Sequence, residues 1–558
     1  MSRRSNVSFR VVLILVPLLI AGVGSYVLFF WWKQPPASTE PGPGPAGNGI
    51  PQVTRGEQLY ATHCAGCHGE KGDGNGPAAR FLNPKPRDFG EARFRLVSTT
   101  NMLPADDDLK RVIRNGMPGS AMFAFGHLGD EDVQALVGQV RLLIRGGIER
   151  RLRQLAADSG EDLDPAELVE TLDRLTRPGE PAPVPDLFPA ATPESIARGA
   201  ELYRSQKTGC IACHGPQGRG DGTEVQRNDN GMPTRPRDLT RGIFKSGRDR
   251  RQLYTRNLRG LPGSPMPRTI ALQPEEIGDL VNFVLSLSPV EATARTQHRR
   301  QTLTAQRVES LPDTIPDRAW LKATTAQVVV TPLWWRDYPE PDLQVAALHD
   351  GKSLALRLTW HDPTHNDRAV LPQDFEDMAA VQLFKGSPEP FLGMGAADRA
   401  LDVWLWRAGW SGKAGEGADV DTVYPQMAVD SYPFEKEGGG PRPHAADRQD
   451  KDFLAALAAG NALADPSRPF SAGNFEAKGF GTLTMRPRAS QVVSASASWA
   501  DERWTVVLRR PLDPGADKGL ALAAGDKASI AFALWDGAAH DRNGQKLASI
   551  WHDLVIEK

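Results

Sequence analysis

The sequence predicts a multidomain chain with an N-terminal transmembrane helix, two small all-α domains and a C-terminal antiparallel β-sandwich. Three observations carry that expectation. An apolar run without a charged residue covers positions 11–32; a motif-bearing segment occurs twice between about 53 and 290; and beyond about 325 the apolar residues change from helical spacing to alternation. A length of 558 residues allows several separate cores. With 66 Lys+Arg against 68 Asp+Glu there is no basic excess, so nucleic acid is not an expected partner.

Arg3, Arg4 and Arg10 precede the apolar run, and Phe29, Phe30, Trp31, Trp32 and Lys33 close it. A span needs about 20 apolar residues, whereas a cleaved signal has a core of about 7–15 and a small-residue cleavage site. The aromatic and cationic ending suits a membrane interface. Residues 1–33 are therefore expected to be an uncleaved anchor in a bacterial inner membrane, with the arginines inside and the bulk of the chain in the periplasm. Residues 34–52, "QPPASTEPGPGPAGNGIPQ", read as a semi-extended tether.

The repeat begins with "RGEQLYATHCAGCHG" from Arg55 and recurs as "RGAELYRSQKTGCIACHG" from Arg198. Both copies continue through "GDG" and "PRD", and close with "NGMPGSAMF" and "RGLPGSPMP" respectively. Thr54 with Glu57 makes a capping-box pattern, and Thr192-Pro193 an N-cap followed by a first-turn proline. Val133, Leu136, Val137, Val140 and Ile144 follow helical spacing, as do Ile277, Leu280, Val281 and Val284. The expected domains are 53–147 and 191–290, joined by a helical and Pro-rich linker, 148–190, that contains "DPAELVETLDRL".

C-x-x-C-H reads as covalent haem attachment. Cysteines three apart share a helical face and can bond both haem vinyls, and the following histidine can ligate iron through its neutral imidazole. Cys64, Cys67 and His68 form one such set, and Cys210, Cys213 and His214 the other. A single zinc site would draw its pairs from closer segments, and a thioredoxin-like pair would need a βαβ context. Of the methionines, only Met122 and Met266 are equivalent, 54 and 52 residues after their histidines (122 − 68 and 266 − 214). They are the expected sixth ligands, a His/Met pairing that raises the potential. Pro86 and Pro236 are the expected carbonyls orienting each histidine from its other nitrogen. Residues 53–290 resemble two class I cytochrome c domains in tandem, each implying one haem c.

After an expected linker, 291–324, "LQVAALHDGKSLALRLTW" turns at Asp350-Gly351 with Leu354, Leu356, Leu358 and Trp360 alternating behind it. A second hairpin pairs 493–499 with 504–508 around "ADE", and Ile530, Phe532 and Leu534 mark another strand. The stretch 411–475 reads as long loops with one short helix near 453–457. No catalytic constellation stands out in 325–558.

The phrases "ALHDGKSLALRLTWHDPTHND", "PFLGMG", "LDVWLWRAGW", "GFGTLT" and "DRNGQKLASIWHDLVIE" occur in order. Together they resemble the haem-binding gamma subunits of ethylbenzene dehydrogenase and dimethylsulfide dehydrogenase. That resemblance implies one non-covalent haem b between Met394 of "FLGMG" and Lys546 of "RNGQKLASIW". It further implies an electron-transfer subunit without a catalytic site of its own. Its partners would be the molybdenum and iron–sulfur subunits of an oxidoreductase of the dimethyl sulfoxide reductase family, nitrate or nitrite oxidoreductase-like complexes included. Beyond them would stand a soluble cytochrome c or membrane quinone and oxidase components. Two other readings stay open at this point: a dihaem enzyme such as a peroxidase, and a cytochrome tethered to a carbohydrate-binding sandwich rich in Trp334, Trp335, Trp404 and Trp406.

Overall fold

The computed structural model describes residues 53–410 and 471–558, apart from 230, 270, 295–296, 313–314, 316–317 and 337–341, together with 424 and 426. The expected anchor, the tether and most of the 411–475 loops, with the helix near 453–457, lie outside the described residues. Among the described residues no helix is long and apolar enough to cross a membrane.

Each repeat folds as a helical unit whose first and last helices cross. Arg55–His63 opens the first with the Thr54/Glu57 capping box in place, and Asp130–Ser159 closes it. A Cβ at Gly56 would stand 2.5 Å from the Ala135 carbonyl oxygen, so glycine lets the two helices approach there. Gly199 plays the same part where Pro193–Arg204 crosses Pro274–Ser286. The predicted apolar faces are the buried ones. The closing helix of the first unit runs 30 residues, past the expected boundary at 147, and stops at Gly160 in the left-handed region. The Gly146-Gly147 pair does not break it because Gly147 packs directly on Gly90.

The C-terminal domain contains β1 (Thr302–Arg307), β2 (Thr325–Val328), β3 (Thr331–Pro332), β4 (Leu343–His349), β5 (Ser353–His361), β6 (Met378–Phe384) and β7 (Leu401–Arg407). These are followed by β8 (Gly473–Ala477), β9 (Thr484–Met485), β10 (Ser494–Ala500), β11 (Arg503–Pro511), β12 (Lys527–Trp535), β13 (Leu547–Ala548) and β14 (His552–Ile556). They form one 14-stranded sheet with the path β9-β8-β7-β6-β12-β14-β1-β4-β5-β11-β10, while β2 lies on β4 and β13 joins β12 to β3. Trp406 on β7 and Trp504 on β11 lie far apart on that path, yet their rings are 4.8 Å apart. The sheet therefore folds over itself into a sandwich around one apolar core.

Two expectations need correcting. The sheet is not purely antiparallel, because β1 runs parallel to both β14 and β4. Nor is 291–324 only a linker, since it supplies β1 in the middle of the path, with Leu303 and Ala305 in the core. Its six residues carry too little alternation to register as a strand, and their partners are remote in sequence. Both expected hairpins form. The Asp350 carboxylate accepts from the Lys352 and Ser353 N–H groups at 2.9 and 2.7 Å, and Asp501-Glu502 turn the second with positive φ at both residues.

Candidate functional site

The two C-x-x-C-H segments are built alike. A tyrosine on each opening helix donates to the carbonyl of the glycine after the motif, Tyr60 to Gly69 at 2.8 Å and Tyr203 to Gly215 at 2.7 Å. Burial pushes the Cys64 and Cys67 thiols up to about 12, and raises Cys210 and Cys213 as well. None of the four cysteines is in a disulfide. Burial lowers the His68 and His214 imidazoles. Their Nδ1 atoms lie 3.2 Å from the Arg87 and Arg237 carbonyl oxygens. A carbonyl only accepts, so Nδ1 carries the proton and Nε2 keeps a lone pair suited to a metal.

The orienting carbonyls are thus not those of Pro86 and Pro236 but of the residues after them. The proline carbonyls instead face Gly74 and Gly220, where a Cβ would come within 2.6 and 2.5 Å.

The methionine loops also match. Gly116 and Gly119 in one, and Gly260 and Gly263 in the other, all have φ between 64 and 73°. The Met122 carbonyl accepts from Met117 N–H at 2.8 Å, and the Met266 carbonyl from Leu261 N–H at 3.2 Å. Met117 and Leu261 therefore share a backbone role. Met122 and Met266 sit at the same half-buried point of their loops.

In the sandwich, Trp404 and Trp406 point into the core and are fully buried, so they offer nothing to a sugar. Leu401 and Val403 point outward, and Met394 packs with them and Ala531 in a second apolar cluster on the outer face. Met394 has φ 80, its N–H donates to the Leu392 carbonyl at 3.2 Å, and its carbonyl accepts from Gly479 at 2.7 Å. Gln382 holds this loop by donating to the Leu392 carbonyl at 2.8 Å. Register places Ala533 opposite Ala380 on β6 and Ala548 on β13, and Ala531 opposite Gln382. Alternation puts Ala531, Ala533 and Trp535 on one face of β12, giving a floor of small side chains.

Lys546 lies at the Trp535 end of that floor, its Nζ 4.9 Å from the indole centroid. Burial pushes its ammonium down to about 8. Among the described residues no carboxylate pairs with it. A thioether, an amine of lowered basicity and an alanine floor are chemically suited to a flat cofactor.

The first helical domain covers this region. Phe391 of the Met394 loop lies against Gly66, between Cys64 and Cys67, where a Cβ would meet its Cζ at 2.6 Å. Phe81 packs on Gly544, two residues before Lys546. Asn83 joins the strand end by main chain, donating to Leu333 at 3.0 Å and accepting from Trp335 at 2.7 Å, and Leu333 N–H donates to Lys546 at 2.8 Å. Beside this contact a cavity of about 380 Å³ is lined by His63, His127, Arg300, Glu389, Lys527 and Asp553, among others. Phe81, Asn83, Gly66 and Phe391 did not stand out as docking residues in the sequence, because each is an ordinary Phe, Gly or Asn until the first helical domain and the sandwich are placed together.

A family model described as ethylbenzene dehydrogenase matches residues 310–547. Residues 51–138 match a model of subunit III of cbb3-type cytochrome c oxidase, and residues 196–288 match cytochrome c. The chain is 42% identical over 214 residues to the chlorate reductase gamma subunit of Ideonella dechloratans, covering 38% of this chain and 64% of that protein. It is 26% identical over 226 residues to the dimethylsulfide dehydrogenase gamma subunit of Rhodovulum sulfidophilum, with coverage of 39% and 62%. It is also 26% identical over 211 residues to a protein of Haloferax mediterranei described as a respiratory nitrate reductase heme subunit, with coverage of 38% and 54%. The chain thus spans between about half and two thirds of the length of these curated relatives. It joins two cytochrome c domains in tandem to a domain like the gamma subunits of ethylbenzene and dimethylsulfide dehydrogenases.

Proposed function

We propose that this chain is a multihaem electron-transfer subunit with two c haems and one b haem. It relays electrons between a molybdenum and iron–sulfur oxidoreductase and a respiratory partner, either a soluble cytochrome c or a membrane quinone or oxidase component. The haem irons, when bound, supply one-electron chemistry. Cys64 and Cys67, and Cys210 and Cys213, would fix the c haems through thioethers. His68 with Met122, and His214 with Met266, would ligate their irons, the methionines favouring the reduced state. Met394 and Lys546 would hold the b haem, and burial of the lysine supports its binding as a neutral amine.

The observation that carries the reading is the seat of the first haem-attachment helix on the Met394 loop, Gly66 against Phe391. Electron transfer needs close cofactors, and this contact favours the order b, first c, second c. The matched methionine loops speak against a peroxidase, which wants one open iron. The charge-free run at 11–32 supports a tether in the bacterial inner membrane with these domains in the periplasm.

A pyridine haemochrome assay on the full chain tests the assignment. Two c haems and one b haem are expected, with only the b signal lost in Met394→Ala and in Lys546→Ala. An unchanged b signal in both variants sinks the b site. Co-purification with a molybdenum-containing subunit tests the partner.

A further inference from the structure

We propose that the two cytochrome domains share one cationic pocket at their interface, formed by Arg87, Arg95, Arg237 and Lys245, that receives the propionate carboxylates of both c haems and couples their potentials. This rests on the reading above that both C-x-x-C-H segments carry haem.

The four cations are two equivalent pairs. Arg87 and Arg237 follow the proline of each "PRD", and Arg95 and Lys245 each stand seven residues past its aspartate (95 − 88 and 245 − 238). Each "PRD" arginine serves one domain with its main chain and the other with its side chain. The Arg87 carbonyl faces His68, but its guanidinium reaches the second domain, where a Cβ at Gly263 would lie 2.7 Å from Nη1. The Arg237 carbonyl faces His214, while its guanidinium donates to the Pro118 and Gly119 carbonyls, to Pro118 at 3.3 Å. Both side chains thus lie on the partner domain's methionine loop. Arg95 is 8% exposed and donates across the interface to Asn228 at 3.2 Å.

These charges feel one another. Burial holds Arg95 down to about 10, with Arg87 and Arg237 adding repulsion, and burial then Arg237, Arg95 and Arg87 drive Lys245 well below the lysine range. Two nearby acids act on Arg87: Asp229, exposed and bonded to Arg93 at 3.0 Å, and Glu91, exposed and 3.5 Å from the Arg151 guanidinium. Two buried polar atoms in this region, Arg87 Nη2 and Ser246 Oγ, have no hydrogen-bond partner. Partly buried like charges with spare donors call for anions. Two haems bring four carboxylates, which match the planar forks of arginine. A free anion such as phosphate has the same chemistry, and the test separates the two sources.

The test is a spectroelectrochemical titration of the haem-loaded full chain at constant ionic strength. A cation near iron favours the reduced state, so Arg87→Gln lowers both c-haem potentials, Arg237→Gln does the same, and Arg87→Lys recovers most of each shift. A drop confined to one c haem, or no drop in variants retaining two c haems, overturns the proposal. So do parent potentials that respond to added phosphate and lose that response in Arg87→Gln, because a free anion then fills the pocket. If Arg87→Gln fails to mature, Lys245→Gln is read by the same criteria. Absence of c haem from the parent chain defeats the functional reading instead.

Discussion

Asp377 is fully buried, and its carboxylate accepts from Asn366 and Gly537 N–H at 2.9 Å and from Trp504 Nε1 at 3.0 Å. Burial, then the charge of Asp362, still pushes it up to about 7, and burial lifts Asp541 to about 6. Both folded values lie above the unfolded reference of about 3.9, so between about pH 4 and 7 the folded state binds more protons. These two carboxyls therefore contribute stability that is lost as pH rises through that window, while His298 and His552, pushed by burial down to about 4, contribute stability that is gained as pH rises from about 4 to 6.5. With chelator present, the tryptophan-monitored unfolding temperature of Asp362→Asn relative to the parent is expected to rise from pH 5.5 to pH 7.5. Asp362→Asn removes the neighbouring charge while leaving an oxygen for Thr364, and should stabilise the domain at pH 7.5 by on the order of 1 kcal/mol. A variant whose advantage over the parent shrinks as pH rises refutes this account. The cysteines and histidines of the two motifs were legible because their spacing is itself the chemistry. The orienting carbonyl was off by one, because which peptide plane faces the imidazole depends on backbone dihedrals that "PRD" does not spell out.

At the scale of elements, alternation decided what could be read. In β7 the tryptophans go inward and Leu401 and Val403 outward because successive strand residues face opposite ways. In β12 the same rule gives Ile530, Phe532 and Leu534 to the core and the alanines to the outer floor. The floor predicts that Ala533→Leu, which raises a bulky group where a flat cofactor would lie, abolishes b-haem binding while both c haems remain in the absorption spectrum. Full b-haem occupancy in that variant contradicts the location. β1 escaped the sequence reading because two inward residues, Leu303 and Ala305, are too few to set a period. Its parallel pairing with the far end of the chain leaves no local trace.

Among the described domains, the arrangement is sequential. The first cytochrome domain touches the sandwich through Phe81, Asn83 and Gly66, and the second domain through Arg87, Arg95 and bonds from Arg256 to the Arg95 and Val97 carbonyls at 3.1 and 3.0 Å. Nothing in the repeat itself distinguishes which copy sits in the middle. If electrons pass in that order, Met266→Ala should slow delivery to an external cytochrome while sparing the step out of the b haem. Met122→Ala should slow both steps, and stopped-flow spectra at the separate haem wavelengths resolve them. Equal effects of the two variants on the first step defeat the linear order. Asn83 carries a further consequence. Its two main-chain bonds run through Leu333 to the carbonyl of Lys546, so the cytochrome is stitched into the backbone of the domain it serves. Such a carrier has no diffusional search to make, and the internal hop should be indifferent to solvent viscosity, leaving only exchange with outside partners to feel it.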